Sequence, residues 1–174
     1  PQNPTGAVMT KEELKKIYEI AEKYDLYLYS DEIYDKMVYG DLEVNSPSVY
    51  DKCKKRVILS SGFSKSFAMT GWRLGTVIAP KVVIDKMNLL LQTTSSCVPP
   101  FIQKAGIEAI SGDQKKIKQM IKEYQKRRDV LVDGLNSISN IECLKPGGAF
   151  YVFANIKKTG KSSEEIARFL LKDA

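Results

Sequence analysis

Apolar residues recur at spacings of three and four early in the chain, at Leu14, Ile17, Tyr18, Ala21 and Tyr24, which predicts an amphipathic helix. Thr10-Lys11-Glu12-Glu13 before it has the capping-box pattern, with Thr10 as N-cap and Glu13 reaching back. Residues 26–30 form a short β-prone run ending at Asp31, and residues 56–59 a continuously apolar run of the kind buried on both faces. Residues 72–79, closed by Pro80, predict a third strand. The pattern then becomes helical: residues 81–95, a break at Cys97-Val98-Pro99-Pro100, residues 101–110, and a long helix running towards Ser139. Residues 141–144 and 149–155 predict two strands joined by Lys145-Pro146-Gly147-Gly148. Ser162-Ser163-Glu164-Glu165 caps a last helix carrying Ile166, Phe169 and Leu170. Helix followed directly by strand predicts α/β layering. The shift from short strands to long helices places a domain boundary near Val98-Pro99-Pro100.

Composition narrows the chemistry. The chain has 174 residues, 43% hydrophobic and 28% charged, ordinary values for a globular protein. No apolar run approaches the roughly 20 residues that cross a bilayer. Pro1-Gln2-Asn3-Pro4 has neither the basic nor the apolar part of a signal peptide, and without an initiator methionine the chain reads as cut from a longer polypeptide. Cys53, Cys97 and Cys143 are odd in number and widely spaced, which predicts free thiols in a reducing cytoplasm. Histidine is absent. That removes a His general base, Ser-His-Asp and Cys-His devices and His-ligated zinc, so proton transfer falls to Lys, Tyr, Asp, Glu or Cys. Much of the net charge of +6 lies between Asp113 and Arg128, where five lysines and two arginines face two acids. Ile117, Ile121, Tyr124, Leu131, Leu135 and Ile138 keep a helical period through and beyond it, so a solvated helix face explains the charge better than a nucleic-acid footprint.

Candidate chemistry centres on Lys65. Val57-Ile58-Leu59 leads into Ser60-Ser61-Gly62-Phe63-Ser64-Lys65, and Arg73 follows in Gly71-Trp72-Arg73-Leu74-Gly75. An amine at a strand's end beside an arginine is how a chain presents a nucleophile and holds an anion. Asp31 ends the preceding strand with Tyr34 three residues on, and ligands in open α/β sheets collect at the carboxyl ends of strands. Asn3-Pro4-Thr5-Gly6 has turn chemistry. Each feature alone has a plainer reading: Asp31-Glu32 as a helix N-cap and first-turn acid, Asn3–Gly6 as a bare turn, Arg73 as a rim charge, Trp72 as packing.

In combination, order and strand context, these motifs resemble the pyridoxal-phosphate enzymes of fold type I, specifically the class I/II aminotransferases. The stretch from Ser64 to Gly75 is similar to that family's lysine signature, and Pro146-Gly147-Gly148-Ala149-Phe150-Tyr151 resembles the first hairpin of its small domain. The resemblance implies an α/β fold: part of the large domain, a mainly parallel sheet with helices on both faces, plus part of a smaller α+β domain. Residues 1–98 would be the second half of the cofactor domain, and residues 99–174 linking helices and the start of the small domain. It implies pyridoxal 5'-phosphate held as a Schiff base on Lys65, with the freed Lys65 amine as general base. Asp31 would pair with the ring nitrogen, Tyr34 and Asn3 with the ring's phenolic oxygen, and Arg73 with the phosphate. Many relatives carry a hydroxyl three residues before the lysine, where this chain has Gly62.

The implied reaction moves an amino group from an amino acid to a 2-oxo acid in a cytoplasmic homodimer, with no nucleic-acid or membrane partner and no metal. A carbon–sulfur β-lyase shares the same residues, and a cofactor-sensing domain of a transcription regulator is a third reading. The family's phosphate loop and ring-stacking aromatic would precede Pro1, and its substrate-carboxylate arginine would follow Ala174. The 174 residues alone are expected to bind cofactor weakly and turn over negligibly.

Overall fold

A computed structural model describes residues 1–173. Helix α1, Lys11–Lys23, begins as the capping box predicts: Glu13 N–H donates to the Thr10 hydroxyl and the Glu13 carboxylate accepts from Thr10 N–H. It buries Leu14, Tyr18 and Ala21, while Tyr24, already at the C-cap, is exposed. Strand β1, Leu28–Asp31, runs parallel to β2, Val57–Gly62. Strand β3, Gly75–Ile78, is antiparallel to β2, giving a three-stranded sheet of order β1-β2-β3.

The strands differ from the expected ranges for local reasons. Leu26 N–H is taken by the Ala21 carbonyl at the end of α1, so the ladder opens only at Leu28, which donates to Arg56 O. Strand β2 extends through Ser60, Ser61 and Gly62, and only its two ends, Val57 and Gly62, are fully buried. Trp72 lies in a 3₁₀ turn, Thr70–Trp72, followed by Arg73 with φ of 51°, so β3 cannot begin before Gly75 and Trp72 stays exposed rather than packed.

The link into β2 depends on one carboxylate. Short helix α2, Ser48–Asp51, is followed by Lys52 and Cys53, both with left-handed φ. Asp51 holds that turn by accepting from Cys53 N at 2.8 Å, Arg56 N at 2.8 Å and Val57 N at 3.1 Å. Burial pushes its carboxyl up, but the backbone donors outweigh burial and hold it below the usual carboxylate value. A depressed folded-state value contributes stability above the unfolded value, and that stability is lost as pH falls through the folded one. Asp51→Asn is therefore expected to lower the urea midpoint at pH 7 by an amount equivalent to about 2 kcal/mol. The variant should also show a shallower fall in midpoint than the parent below about pH 4. A parent and variant with parallel acid profiles would contradict this account of the turn.

The remaining helices are α3, Phe63–Ser66; α4, Lys81–Thr94; α5, Pro100–Ser111; α6, Lys115–Asn136; and α7, Ser163–Asp173. Among the described residues no helix is long and apolar enough to cross a membrane. The three cysteines are free thiols, with Cys97 exposed and the other two buried. The basic face of α6 is mostly solvated, with one exception. Arg128 is largely but not fully buried, its guanidinium 4.6 Å from the Tyr39 ring centroid and bonded to the Pro146 carbonyl at 2.9 Å.

The predicted terminal hairpin is reduced to β4, Glu142–Cys143, against β5, Ala154–Asn155. The residues between leave the pairing because other partners claim them. Gly148 bridges Val38, Ala149 N–H donates to Met37 O, Tyr39 N–H donates to Gly147 O, and the Gly6 carbonyl accepts from both Gly147 and Gly148. Segment 146–151 is thus stitched onto the first turn and onto residues 37–39. A core cluster of Tyr34, Met37 and Ala149, with Ile33, Tyr124 and Tyr151 against it, forms beneath.

Candidate active site

Parallel pairing of β1 with β2 brings their carboxyl ends together: Asp31 is in register with Ser60, and Glu32 N–H donates to Ser60 O at 2.8 Å. Beyond β1 the chain turns rather than forming a helix. Asp31 Oδ1 accepts from Ile33 N at 3.2 Å, and Met37 N donates to Tyr34 O at 2.9 Å. That turn buries the Tyr34 ring at 5% exposure. Burial first, then its bond to a second phenol, pushes the Tyr34 hydroxyl well above the ordinary tyrosine value, and the negative charge of Asp31 adds to the effect.

Lys65 follows β2 on α3. This short segment is fastened at both ends, by Phe63 N–H to Leu74 O and by Ser66. The Ser66 side chain is fully buried, its hydroxyl 3.1 Å from the Ile33 carbonyl and 2.8 Å from Asp35 Oδ1. The residue after the lysine is therefore tied to the turn that carries Tyr34. Lys65 is half-buried, with Nζ 5.3 Å from the Phe150 ring centroid. Phe150 packs edge-on against Tyr34 with centroids 5.4 Å apart, and stacks on Tyr124.

Asn3 arrives from the first turn. Its Nδ2 donates to the Tyr151 hydroxyl at 3.2 Å, and that hydroxyl lies 2.8 Å from the Tyr34 hydroxyl. The structure thus brings Asn3, Tyr34 and Lys65 around one aromatic pair, Phe150-Tyr151, with Asp31 in the same turn as Tyr34. It does not bring Arg73 into this group. The Arg73 guanidinium is exposed and bonded within its own turn, to Thr70 O at 3.1 Å. Gly62 has extended backbone, so space governs the position. A Cβ there would lie 3.0 Å from Ile33 Cδ1, so a larger side chain would need that terminal methyl to shift by a few tenths of an ångström. Ser61 reaches back to the Glu32 carbonyl at 3.5 Å.

Tyr151, Phe150 and Ser66 were not among the site residues expected from sequence. The signal was present for the aromatic pair. Two consecutive glycines before it mark a close backbone approach, and a Cβ at Gly148 would sit 2.6 Å from Met37 O. Ser66 carries no such mark, because a serine beside a lysine on a short turn is usually solvated.

The primary amine, amide and phenol gathered here, with the Asp31 carboxylate in the same turn as the phenol, fit an aldehyde cofactor with an acidic ring oxygen and a basic ring nitrogen, while the Arg73 guanidinium lies outside the group. Comparison with known proteins identifies the family. The family profile described as Aminotransferase class I and II matches residues 1–174. The chain is 44% identical over 176 residues to an aspartate aminotransferase of Pyrococcus horikoshii, covering 100% of this chain and 44% of that protein. It is 40% identical over 176 residues to aromatic-amino-acid aminotransferase 2 of Thermococcus litoralis, covering 100% of this chain and 45% of that one. The crystal structure of an aromatic aminotransferase from Pyrococcus horikoshii superposes with a TM-score of 0.94 at 39% identity, over 99% of this chain and 47% of that chain. The chain spans less than half the length of the relatives it matches.

Proposed function

Because the chain belongs to the class I and II aminotransferase family, we propose that it supplies the Schiff-base lysine and the ring-binding groups of an enzyme that transfers an amino group from an amino acid to a 2-oxo acid. The observation that carries the proposal is the convergence of the Lys65 amine, the Tyr34 phenol and the Asn3 amide on one aromatic pair. Bound pyridoxal phosphate supplies an aldehyde carbon and an electron-withdrawing ring. Lys65 would hold that aldehyde through its primary amine, and the same amine, when free, would serve as the general base of the site. Asp31 would offer a carboxylate to the ring nitrogen and favour its protonated form. Asn3 and Tyr34 would donate to the ring oxygen. Arg73, bonded to Thr70 O in its own turn, would be the guanidinium for the phosphate, with Ser61 and Ser64 the hydroxyls near Gly62 in sequence. The enzyme works as a homodimer in the cytoplasm, where its free thiols are stable. Residues 1–98 belong to its cofactor domain and residues 99–174 to the linking helices and small domain.

The test is a substrate comparison on the complete polypeptide that carries this chain. An amino acid with a 2-oxo acid should give amino transfer, detected as the new amino acid, while a cysteine conjugate should release little pyruvate. Pyruvate release without amino transfer would make the protein a carbon–sulfur β-lyase.

A further inference from the structure

Tyr151 sits where no assigned role places it, at the node between the two groups that face the ring oxygen. Resting on the reading of Lys65, Asn3 and Tyr34 above, we propose that Tyr151 is a positioning residue. Its phenol accepts a hydrogen bond from Asn3 and donates one to Tyr34, leaving each of those residues a proton free for the ring oxygen.

The argument is a count of protons. A phenol carries one proton and two lone pairs, and a carboxamide carries two N–H donors. Asn3 Nδ2 lies 3.2 Å from the Tyr151 oxygen and uses one N–H there, keeping the other. Between the two phenols, 2.8 Å apart, either can donate. If Tyr34 donated to Tyr151, its only proton would be spent and it would present a lone pair to an anionic ring oxygen. With Tyr151 as donor, Tyr34 keeps its proton for the ring, and accepting a hydrogen bond strengthens the one it gives. Only this arrangement arms both partners.

Tyr151 can hold that orientation because its neighbours are fixed. Ala149 N–H donates to Met37 O at 2.8 Å, and the Tyr39 hydroxyl donates to the Ala149 carbonyl. The Tyr151 ring packs against Phe150, with centroids 4.7 Å apart, and edge-on against Tyr34 at 5.9 Å. Phenylalanine would keep all of this packing and remove only the hydroxyl.

The experiment uses the complete polypeptide that carries this chain, with equilibrium dialysis of pyridoxal phosphate and of the analogue lacking the ring hydroxyl. Tyr151→Phe should weaken pyridoxal phosphate binding about fivefold, the effect of one net hydrogen bond, and change binding of the analogue by less than about twofold. A structural role would weaken both ligands alike. Equal losses, with or without a fall in melting temperature, overturn the proposal, and so does no loss with either ligand. If the unsubstituted protein gives no borohydride-fixed adduct on Lys65, the underlying reading of the lysine fails, and this inference with it.

Discussion

Lys65→Ala is expected to abolish both the visible absorbance of lysine-bound pyridoxal phosphate and the adduct fixed by borohydride in the complete polypeptide, and to slow amino transfer by about a thousandfold or more. The size follows from losing two functions at once. The covalent attachment has no other amine in this group of residues, and a positioned general base alone is worth about 10²–10⁴. The fold should survive the change. The Lys65 ammonium lies over the Phe150 ring, a contact worth about 0.5–1 kcal/mol, while α3 is held by Ser66 and by the Phe63–Leu74 backbone bond, neither of which the substitution touches. Activity and stability are thus separable at this position. The readout is a borohydride-treated peptide map beside a melting curve. A fixed adduct surviving in Lys65→Ala would assign the cofactor to a different lysine.

Gly6→Ala should have the largest effect on stability. Gly6 has φ of +68°, a conformation costing other residues about 1–2 kcal/mol. A Cβ there would also lie 2.3 Å from Pro146 Cβ and 2.8 Å from Gly148 O, a rigid ring and a backbone atom that cannot swing aside. Overpacking of that kind adds about 1–3 kcal/mol, so the total expected is about 2–5 kcal/mol. Gly40 is the control. Its φ is +65° with nothing within 4 Å of its would-be Cβ, so Gly40→Ala should show the conformational cost alone. The difference in urea midpoint between the two variants isolates the interlock of the first turn with segment 146–148. Equal losses would mean the two segments can part without cost. Because Gly6 shares its turn with Asn3, the same variant should also weaken cofactor binding.

The sequence was readable where a residue's role depends on its neighbours in the chain. Thr10 and Glu13 cap α1 through positions three apart, and Asp31 ends β1 while Tyr34 and Lys65 follow β1 and β2. It misled where a long-range partner overrode a local preference. Residues 149–153 have the composition of a strand, yet Met37, Tyr39 and Gly6 take the hydrogen bonds of residues 147–149 and leave β5 two residues long. Trp72 looked like part of a strand until the left-handed Arg73 turned the chain to the surface. Ser66 and Tyr151 gained their importance only from burial and from hydroxyl partners that no local pattern encodes.

The stitching of the first turn to segment 146–151 also sets a timetable. Asn3 meets Tyr151 across 148 residues, and Tyr34 meets it across 117. At synthesis rates of about 5–20 residues per second, Asn3 leaves the ribosome on the order of ten seconds before its phenol partner exists. Strands β1 and β2, α3 and the lysine can all be in place during that interval, while the Tyr34 ring still lacks Ala149, Phe150 and Tyr151 against it. The cluster of Asn3, Tyr34, Phe150 and Tyr151 is therefore among the last parts of this chain to assemble. A ribosome stalled before Gly147 would display Lys65 without the Phe150 ring beside its side chain.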